Sequence, residues 1–197
     1  MARIKEIYAL YDDKTIRVYQ AYNKRIAEEA LNLKTFGPSF KLERMTWIKT
    51  SFLWMMYRSG WGTKVNQEKI LAIDILREGF DTLLQKAILS SYNSNIYSSY
   101  DDWKKKLASS NVRCQWDPDR DIYGNPIEKC AIQIGIKGDI VKKYINDWIC
   151  NVTDISAYVH QSSIEIRKGT FDTHTLPKED IYPIDEHIKR ILGIEQN

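Results

Sequence analysis

The alternation of apolar and polar residues predicts two strands in the first quarter of the chain. Residues 15–22 are rich in β-branched and aromatic side chains, which is typical of a strand. Successive side chains of a strand point to opposite faces, so Ile16 and Val18 face away from Arg17. Residues 41–48 alternate in the same way and predict a second strand.

A spacing of three and four residues between apolar positions predicts helices between and after the strands. Asn23 is a suitable N-cap for the first helix and either Thr50 or Ser51 for the second, which Gly60 and Gly62 would end. The predicted helices run from Asn23 to about 34, then over 51–59, 77–89, 101–107, from Asp139 to about 149, 155–167 and 184–192. Further strands are predicted at 70–75, 112–116 and 131–136, with a turn at 117–120.

Strands and helices follow one another without strict βαβ alternation. This order predicts an α+β protein with a mixed, partly antiparallel sheet flanked by helices. A length of 197 residues suits one domain. We expect residues 1–197 to form a single domain, on which a C-terminal loop and helix at 170–197 pack.

The composition is that of an ordinary globular protein and narrows the function only slightly. With 29 basic and 26 acidic residues, the net charge of +3 is too small to indicate a nucleic-acid-binding protein by itself. The chain lacks the apolar run of a membrane span, and Met1 is not followed by the apolar core of a secretory signal. Three irregularly spaced cysteines complete the expectation of a cytoplasmic protein with no membrane partner.

Metal-binding motifs are missing from the sequence. The three histidines are scattered and the cysteines form no CxxC pair, so we expect no zinc site. Asp117, Asp119 and Asp121 place three carboxylates in one short segment. This spacing suits either an Asx turn or a site for Mg²⁺ or acid–base chemistry.

The strongest candidate for a binding site is the segment 44–61. Lys49, Thr50 and Ser51 meet where a predicted strand ends and a helix begins, so an ammonium group, two hydroxyls and free helix amides would face an anion. Trp54 and Arg58 are four residues apart on that helix, so the guanidinium can lie over the ring. The same pattern suits a capped, buried helix whose Arg58 pairs with an acid.

Further candidates lie on the first strand and among the aromatic residues. Six Trp and twelve Tyr suit either a core of large side chains or a pocket that stacks on a planar ligand. The guanidinium of Arg17 can hold a diphosphate, or it can simply lie at the surface of a half-exposed strand. The candidate ligand-binding residues are Arg17, Tyr19, Gln20, Trp47, Lys49, Ser51, Trp54, Arg58 and Trp116.

Short segments spread along the chain suggest a family. They are residues 17–22, 44–49, 51–61, 115–118 and 132–135, with Leu176-Pro177, Glu179 and Tyr182-Pro183 near the end. Together they resemble a bacterial and fungal family, the domain of unknown function 4291. Thr50 departs from this resemblance, because the family usually carries proline there. The resemblance implies no established reaction.

A second similarity, at the level of the fold, is to the ADP-ribosyltransferases. In these enzymes an early strand carries an arginine or histidine for the dinucleotide, and Arg17 would match it. Residues 46–51 would match a second strand. A later strand supplies a catalytic glutamate, but Gln133 stands in the corresponding strand here and Glu128 precedes it. The similarity implies NAD as the cofactor, with Glu128 or Gln133 at the reacting centre.

Three functions follow as hypotheses. The first is binding of a nucleotide-like or phosphorylated ligand, with group transfer from NAD as the reaction. The second is a nucleic-acid-binding module that uses the basic residues at 104–106 with Arg113 and Arg120. The third is an interaction scaffold with an exposed apolar patch. The deciding observation is whether Arg17, Lys49 and Arg58 converge on one cleft.

Overall fold

A seven-stranded sheet runs through the protein in the computed structural model, which describes residues 3–194. The strands are β1 Tyr8–Ala9, β2 Thr15–Tyr22, β3 Thr46–Lys49, β4 Lys69–Leu76, β5 Ile88–Leu89, β6 Val112–Arg120, β7 Pro126–Ile136, β8 Ile149–Asp154 and β9 Asp180–Ile181. The sheet order is β5-β6-β7-β3-β2-β4-β8, and β1 pairs with β9 in a small separate sheet. Within the large sheet β5 runs parallel to β6, and the other neighbours are antiparallel.

Helices cover both faces of this sheet. They are α1 Lys24–Leu33, α2 Phe52–Ser59, α3 Arg77–Lys86, α4 Tyr100–Ser109, α5 Asp139–Lys143, α6 Ser156–Lys168 and α7 Glu186–Leu192. The Asn23 side chain caps α1 as the sequence predicts, and of the two candidates for α2 it is Ser51 that caps the helix. None of the helices in residues 3–194 combines the length and apolar character that crossing a membrane requires.

One face of the sheet is almost wholly apolar and forms the main core. Ile16, Val18, Ile48 and Ile73 lie on it, each at most 1% exposed. Apolar side chains of α1, α3 and α7 pack against them. Residues that are paired across two antiparallel strands point to the same face of the sheet. Ile16 of β2 is paired with Ile75 of β4, so the apolar face of β2 extends onto β4.

The opposite face carries a smaller apolar core and, beside it, polar side chains. Tyr19 and Ala72 lie directly opposite one another on β2 and β4 and pack with Phe52 of α2 and Val159 of α6. This second core covers only part of the face. The rest of the face belongs to β3, β7 and β6, where the polar residues described below lie.

The α+β class and the mixed sheet flanked by helices are confirmed, but some element boundaries were predicted wrongly. β3 begins at Thr46 rather than at residue 41, because β7 ends at Ile136, the partner of Thr46, and offers no backbone beyond it. The preceding turn is fixed instead by the Glu29 carboxylate, which accepts hydrogen bonds from the Ser39 backbone N–H and hydroxyl.

The predicted turn at 117–120 is also wrong, because these residues continue β6. Pro118 is tolerated in the strand because β5 ends opposite Cys114, and a register shift follows Pro118. The turn lies at 121–125, where the Asp121 carboxylate accepts the backbone N–H groups of Tyr123 and Asn125.

A further correction concerns the helix predicted to reach about residue 149. The α-helix ends at Lys143 and continues as a π-helical turn, Tyr144–Trp148. β8 then begins at Ile149, because this residue pairs with Ile75 of β4 and the following residues pair with β4 as far back as Leu71. The helix predicted at 155–167 agrees with α6 within one residue.

Candidate functional site

A row of polar side chains crosses the second face of the sheet. Tyr19 of β2 lies opposite Lys49 of β3, Lys49 opposite Gln133 of β7, and Gln133 opposite Gln115 of β6. The four side chains therefore share one face, although they are far apart in sequence. We refer to these four residues, with Asp117 on β6, as the polar row.

Lys49 is the one buried lysine among residues 3–194, with 7% of its surface exposed. Its Nζ donates a hydrogen bond of 3.1 Å to the Trp47 carbonyl oxygen. Burial, reinforced by the nearby charge of Arg58 and opposed by Asp117, lowers the pKa of Lys49 to about 8. No carboxylate in the described part of the chain lies within 4.0 Å of either cation.

Two glutamine amides hold Asp117 beside Lys49. The Gln115 side-chain amide donates to the Asp117 carboxylate at 2.9 Å, and the Gln133 amide donates to it as well. The Trp47 indole lies next to this group and covers Gly135, where a Cβ atom would come within 3.0 Å of the ring. Because glycine has no Cβ atom, Gly135 lets the Trp47 indole lie close to the sheet.

The N-terminus of α2 is satisfied by side chains of the protein itself. The Ser51 hydroxyl accepts the Trp54 N–H and donates to the Asp119 carboxylate at 2.9 Å. The Phe52 N–H donates to Glu179 Oε1 at 2.7 Å. The sequence predicted free amides here for an anion, but the Glu179 carboxyl group already occupies this end of the helix.

Asp119 is buried and Glu179 is half-buried, and the pKa of each carboxyl group lies above its ordinary range. Burial is the main cause for Glu179, whose pKa rises to about 8 with a further contribution from Asp119. Burial also raises the pKa of Asp119, although the Arg120 N–H and the Ser51 hydroxyl oppose the shift. The nearby Tyr19 hydroxyl is buried without a hydrogen-bond partner.

The three predicted tryptophans lie in three different places, whereas Tyr19 belongs to the polar row itself. Trp54 is 5% exposed and stacks on Tyr57 at 5.3 Å, while Arg120 rather than Arg58 lies over the two rings. Trp116 lies on the opposite face of the sheet, where its Nε1 donates to the Leu192 carbonyl oxygen. Trp47 is the predicted tryptophan that lies beside the polar row.

Arg17 and Gln20 are committed to other partners. Arg17 makes two hydrogen bonds with the Asp74 carboxylate, at 2.8 and 3.0 Å, so its charge is neutralised. Gln20 lies in the main core, where its amide donates to Thr46 and its carbonyl accepts the Tyr144 hydroxyl. The three cations therefore do not converge: Lys49 and Arg58 are neighbours, whereas Arg17 is paired elsewhere on the same face.

The residues proposed for the reacting centre are also separated. Glu128 is exposed, and its backbone carbonyl accepts the Ile4 N–H. Gln133 is buried in the polar row. Sequence reasoning missed Glu179 as a site residue, although it lies in a segment that carries the family resemblance.

The three aspartates of the segment 117–121 each have different hydrogen-bond partners within the protein. Asp117 accepts glutamine amides, Asp119 accepts the Ser51 hydroxyl, and Asp121 stabilises the turn. Residues 3–194 contain no group of three histidine, cysteine or acidic side chains suited to a metal ion.

Two clefts lie at the outer edge of β6, next to Trp116. Their volumes are about 420 and 1020 Å³, and Lys5 and Trp116 line both. Part of their polar surface is already used, because Lys5 donates to the Gly193 carbonyl oxygen. Ser90, which lines the smaller cleft, has a buried hydroxyl with no partner.

Comparison with known proteins identifies the family but adds no activity. No curated protein matches the chain. The model of one family, described as a domain of unknown function (DUF4291), matches residues 6–182. This match covers most of the chain, including the polar row, α2 and Glu179, so the chain belongs to the DUF4291 family.

Proposed function

We propose that the protein binds a phosphorylated, nucleotide-like ligand over the polar row, with Lys49 and Arg58 as the anion-binding cations. The observation that supports this most strongly is their charge: they are neighbours, and neither has a carboxylate within ion-pair distance among the described residues. Two unneutralised like charges destabilise each other, and a bound anion relieves that repulsion.

The surroundings of the two cations suit a phosphate that carries a planar group. Arg58 is exposed, so its guanidinium can reach a ligand from solvent and bind phosphate through two parallel hydrogen bonds. Trp47 is partly exposed beside Lys49 and offers an indole surface for a base. Arg17 has no role in this proposal, because Asp74 already neutralises it.

Group transfer from NAD is the reaction that the similarity to ADP-ribosyltransferases implies for such a site. That chemistry needs a carboxylate near the positive charge that develops on the ribose. Asp117 meets this need better than Glu128, because two amides orient its carboxylate within the polar row. We therefore place Asp117, with Gln133 as its positioning residue, at the reacting centre of this candidate activity.

Calorimetric titration with pyrophosphate, ADP and NAD tests the proposal. We expect each to bind wild-type protein and Lys49→Met to weaken binding at least about tenfold, which corresponds to about 1.4 kcal/mol. Arg58→Gln should weaken binding similarly. Lys168→Gln is the matched control. Lys168 is exposed on α6, so this substitution removes one positive charge outside the proposed site.

Two results would reject the proposal. One is the absence of binding by all three ligands to folded wild-type protein. The other is an equal loss of affinity in Lys168→Gln, which would indicate attraction by net charge alone. Circular dichroism of each variant establishes that the fold is retained.

A second candidate function is contact with single-stranded nucleic acid along α4. The exposed rings of Tyr92 and Tyr100 lie 5.7 Å apart and next to Trp103, and Lys104 and Lys105 are exposed on the same helix. Aromatic platforms beside cations are typical of such proteins. This function predicts that affinity for a short RNA falls steeply with salt and that Tyr100→Ala reduces it.

A further inference from the structure

Lys49 stands out among the lysines of the described chain because its amine is enclosed without an acidic partner. Its Nζ bonds to one carbonyl oxygen, that of Trp47. A buried ammonium normally pairs with a carboxylate, since an unpaired buried charge is costly. An amine held in this way is poised to act in its neutral form.

The side chains that face Lys49 come from four elements. Arg58 of α2 repels the protonated amine, Asp117 of β6 attracts it, and Gln133 of β7 and Tyr19 of β2 flank it without charge. Burial together with a neighbouring cation is the combination that activates catalytic lysines as nucleophiles. With its pKa lowered to about 8, the amine is neutral in roughly one molecule in ten at pH 7.

We infer that Lys49 forms an imine with the carbonyl group of a phosphorylated aldehyde or ketone whose phosphate Arg58 holds. This inference rests on the proposed function, because it uses the same anion site. It names the substrate class more narrowly: a phosphorylated carbonyl compound, such as a phosphorylated sugar in its open form.

The step balances without any further reactant. The Lys49 ammonium first loses one proton, and the neutral nitrogen then bonds to the carbonyl carbon. A second proton moves from nitrogen to the carbonyl oxygen, which gives a neutral carbinolamine. The first proton returns to the hydroxyl, the nitrogen lone pair expels it as water, and a protonated C=N bond remains. Asp117, the carboxylate of the polar row, is more than 4.0 Å from the amine, so it exchanges this proton through one water molecule.

Formation of the imine leaves the positive charge at Lys49 unchanged. A protonated imine carries the same positive charge as the ammonium it replaces, so Asp117 and the bound phosphate stabilise it. Arg58 keeps its contact with phosphate throughout, because it takes no part in bond formation. In this inference Arg58 binds the phosphate and Lys49 provides the reacting amine.

Reductive trapping tests the inference directly. Folded protein is treated with pyridoxal 5′-phosphate or with pyridoxal, which lacks the phosphate, and each imine is reduced with cyanoborohydride. Peptide mass spectrometry then locates the label. We expect Lys49 to be the first lysine labelled, at least about tenfold faster with the phosphorylated probe, and Arg58→Gln to remove that preference.

Lys49→Arg separates this inference from the proposed function. It keeps a cation but has no amine for an imine, so it should retain pyrophosphate binding and lose the rapid labelling. Labelling spread over exposed lysines, with Lys49 unmodified in protein that binds pyrophosphate, would overturn the imine alone. Failure of wild-type protein to bind pyrophosphate would overturn the proposed function, and rapid phosphate-dependent labelling would then be absent too.

Discussion

The two faces of the central sheet differ in what each side chain does, even where the residues are neighbours in sequence. Ile48 and Lys49 are adjacent on β3, and both are buried. Ile48 lies in the main core, whereas Lys49 faces the polar row. The first face is explained fully by packing. The second carries groups whose burial opposes folding, which is typical of functional sites.

Within the second face, a further difference separates neutralised charges from unneutralised ones. Arg17 and Asp74 form a two-bond ion pair on β2 and β4. Lys49 of β3 and Arg58 of α2 have no such partner among the described residues. Arg17, which the sequence offered as a second candidate for binding a diphosphate, is thus neutralised by Asp74, whereas Lys49 and Arg58 of the first candidate segment are not.

The largest effect on stability is expected from the apolar face. Ile48→Ala should lower the free energy of unfolding by about 2–5 kcal/mol, because it opens a cavity in the main core. Urea denaturation measures this loss. Pyrophosphate affinity of the folded variant should stay within about twofold of wild type, and a larger change would mean that the two faces are coupled.

Breaking the neutralised pair should have an intermediate effect. Arg17→Met leaves Asp74 without its main partner in a setting that is 17% exposed, so we expect a loss of about 1–3 kcal/mol in urea denaturation. Ligand affinity should be unchanged, because Arg17 is already paired. A tenfold loss of ADP binding in this variant would place Arg17 in the site after all.

Glu179 should make stability depend on pH in a direction opposite to that of most carboxylates. Its pKa is about 8 in the folded protein and about 4.3 in an unfolded chain. Between these two pH values Glu179 is therefore protonated in the native state and ionised in the unfolded state. Stability therefore falls as pH rises through this window. Glu179→Gln mimics the protonated acid and should flatten that slope.

Thermal unfolding from pH 5 to pH 8 measures the Glu179 effect. Glu179→Gln should raise Tm at pH 8 by about 2–4 °C for each kcal/mol gained and change little at pH 5. Glu128→Gln is the matched control, because Glu128 is exposed. Parallel pH profiles for wild type and Glu179→Gln would show that the carboxyl is ionised throughout.

The smallest effect on stability is expected at the residue most important for binding. Lys49→Met replaces an unpaired buried ammonium with an apolar chain of similar length, so the free energy of unfolding should change by less than about 1 kcal/mol or rise. The same variant should lose pyrophosphate binding. A loss of several kcal/mol would show that Lys49 serves the fold.

Local patterns in the sequence predicted the elements that depend on local interactions. The alternation in β2, the caps of α1 and α2 and the periodicity of α6 are all present in the structure. Predictions failed where a distant partner sets the boundary: β3 begins where β7 provides a pair, and β8 forms because β4 lies beside it.

The sequence by itself determined the α+β class, the principal caps, and a cluster of candidate residues between Lys49 and Arg58. Only the tertiary structure decided which charges are free. Asp74 neutralises Arg17 from another strand, and Glu179 reaches Phe52 across 127 residues of chain. The physical reason is that periodicity and capping act within a few residues, whereas ion pairing and desolvation depend on strand register and on what covers each face.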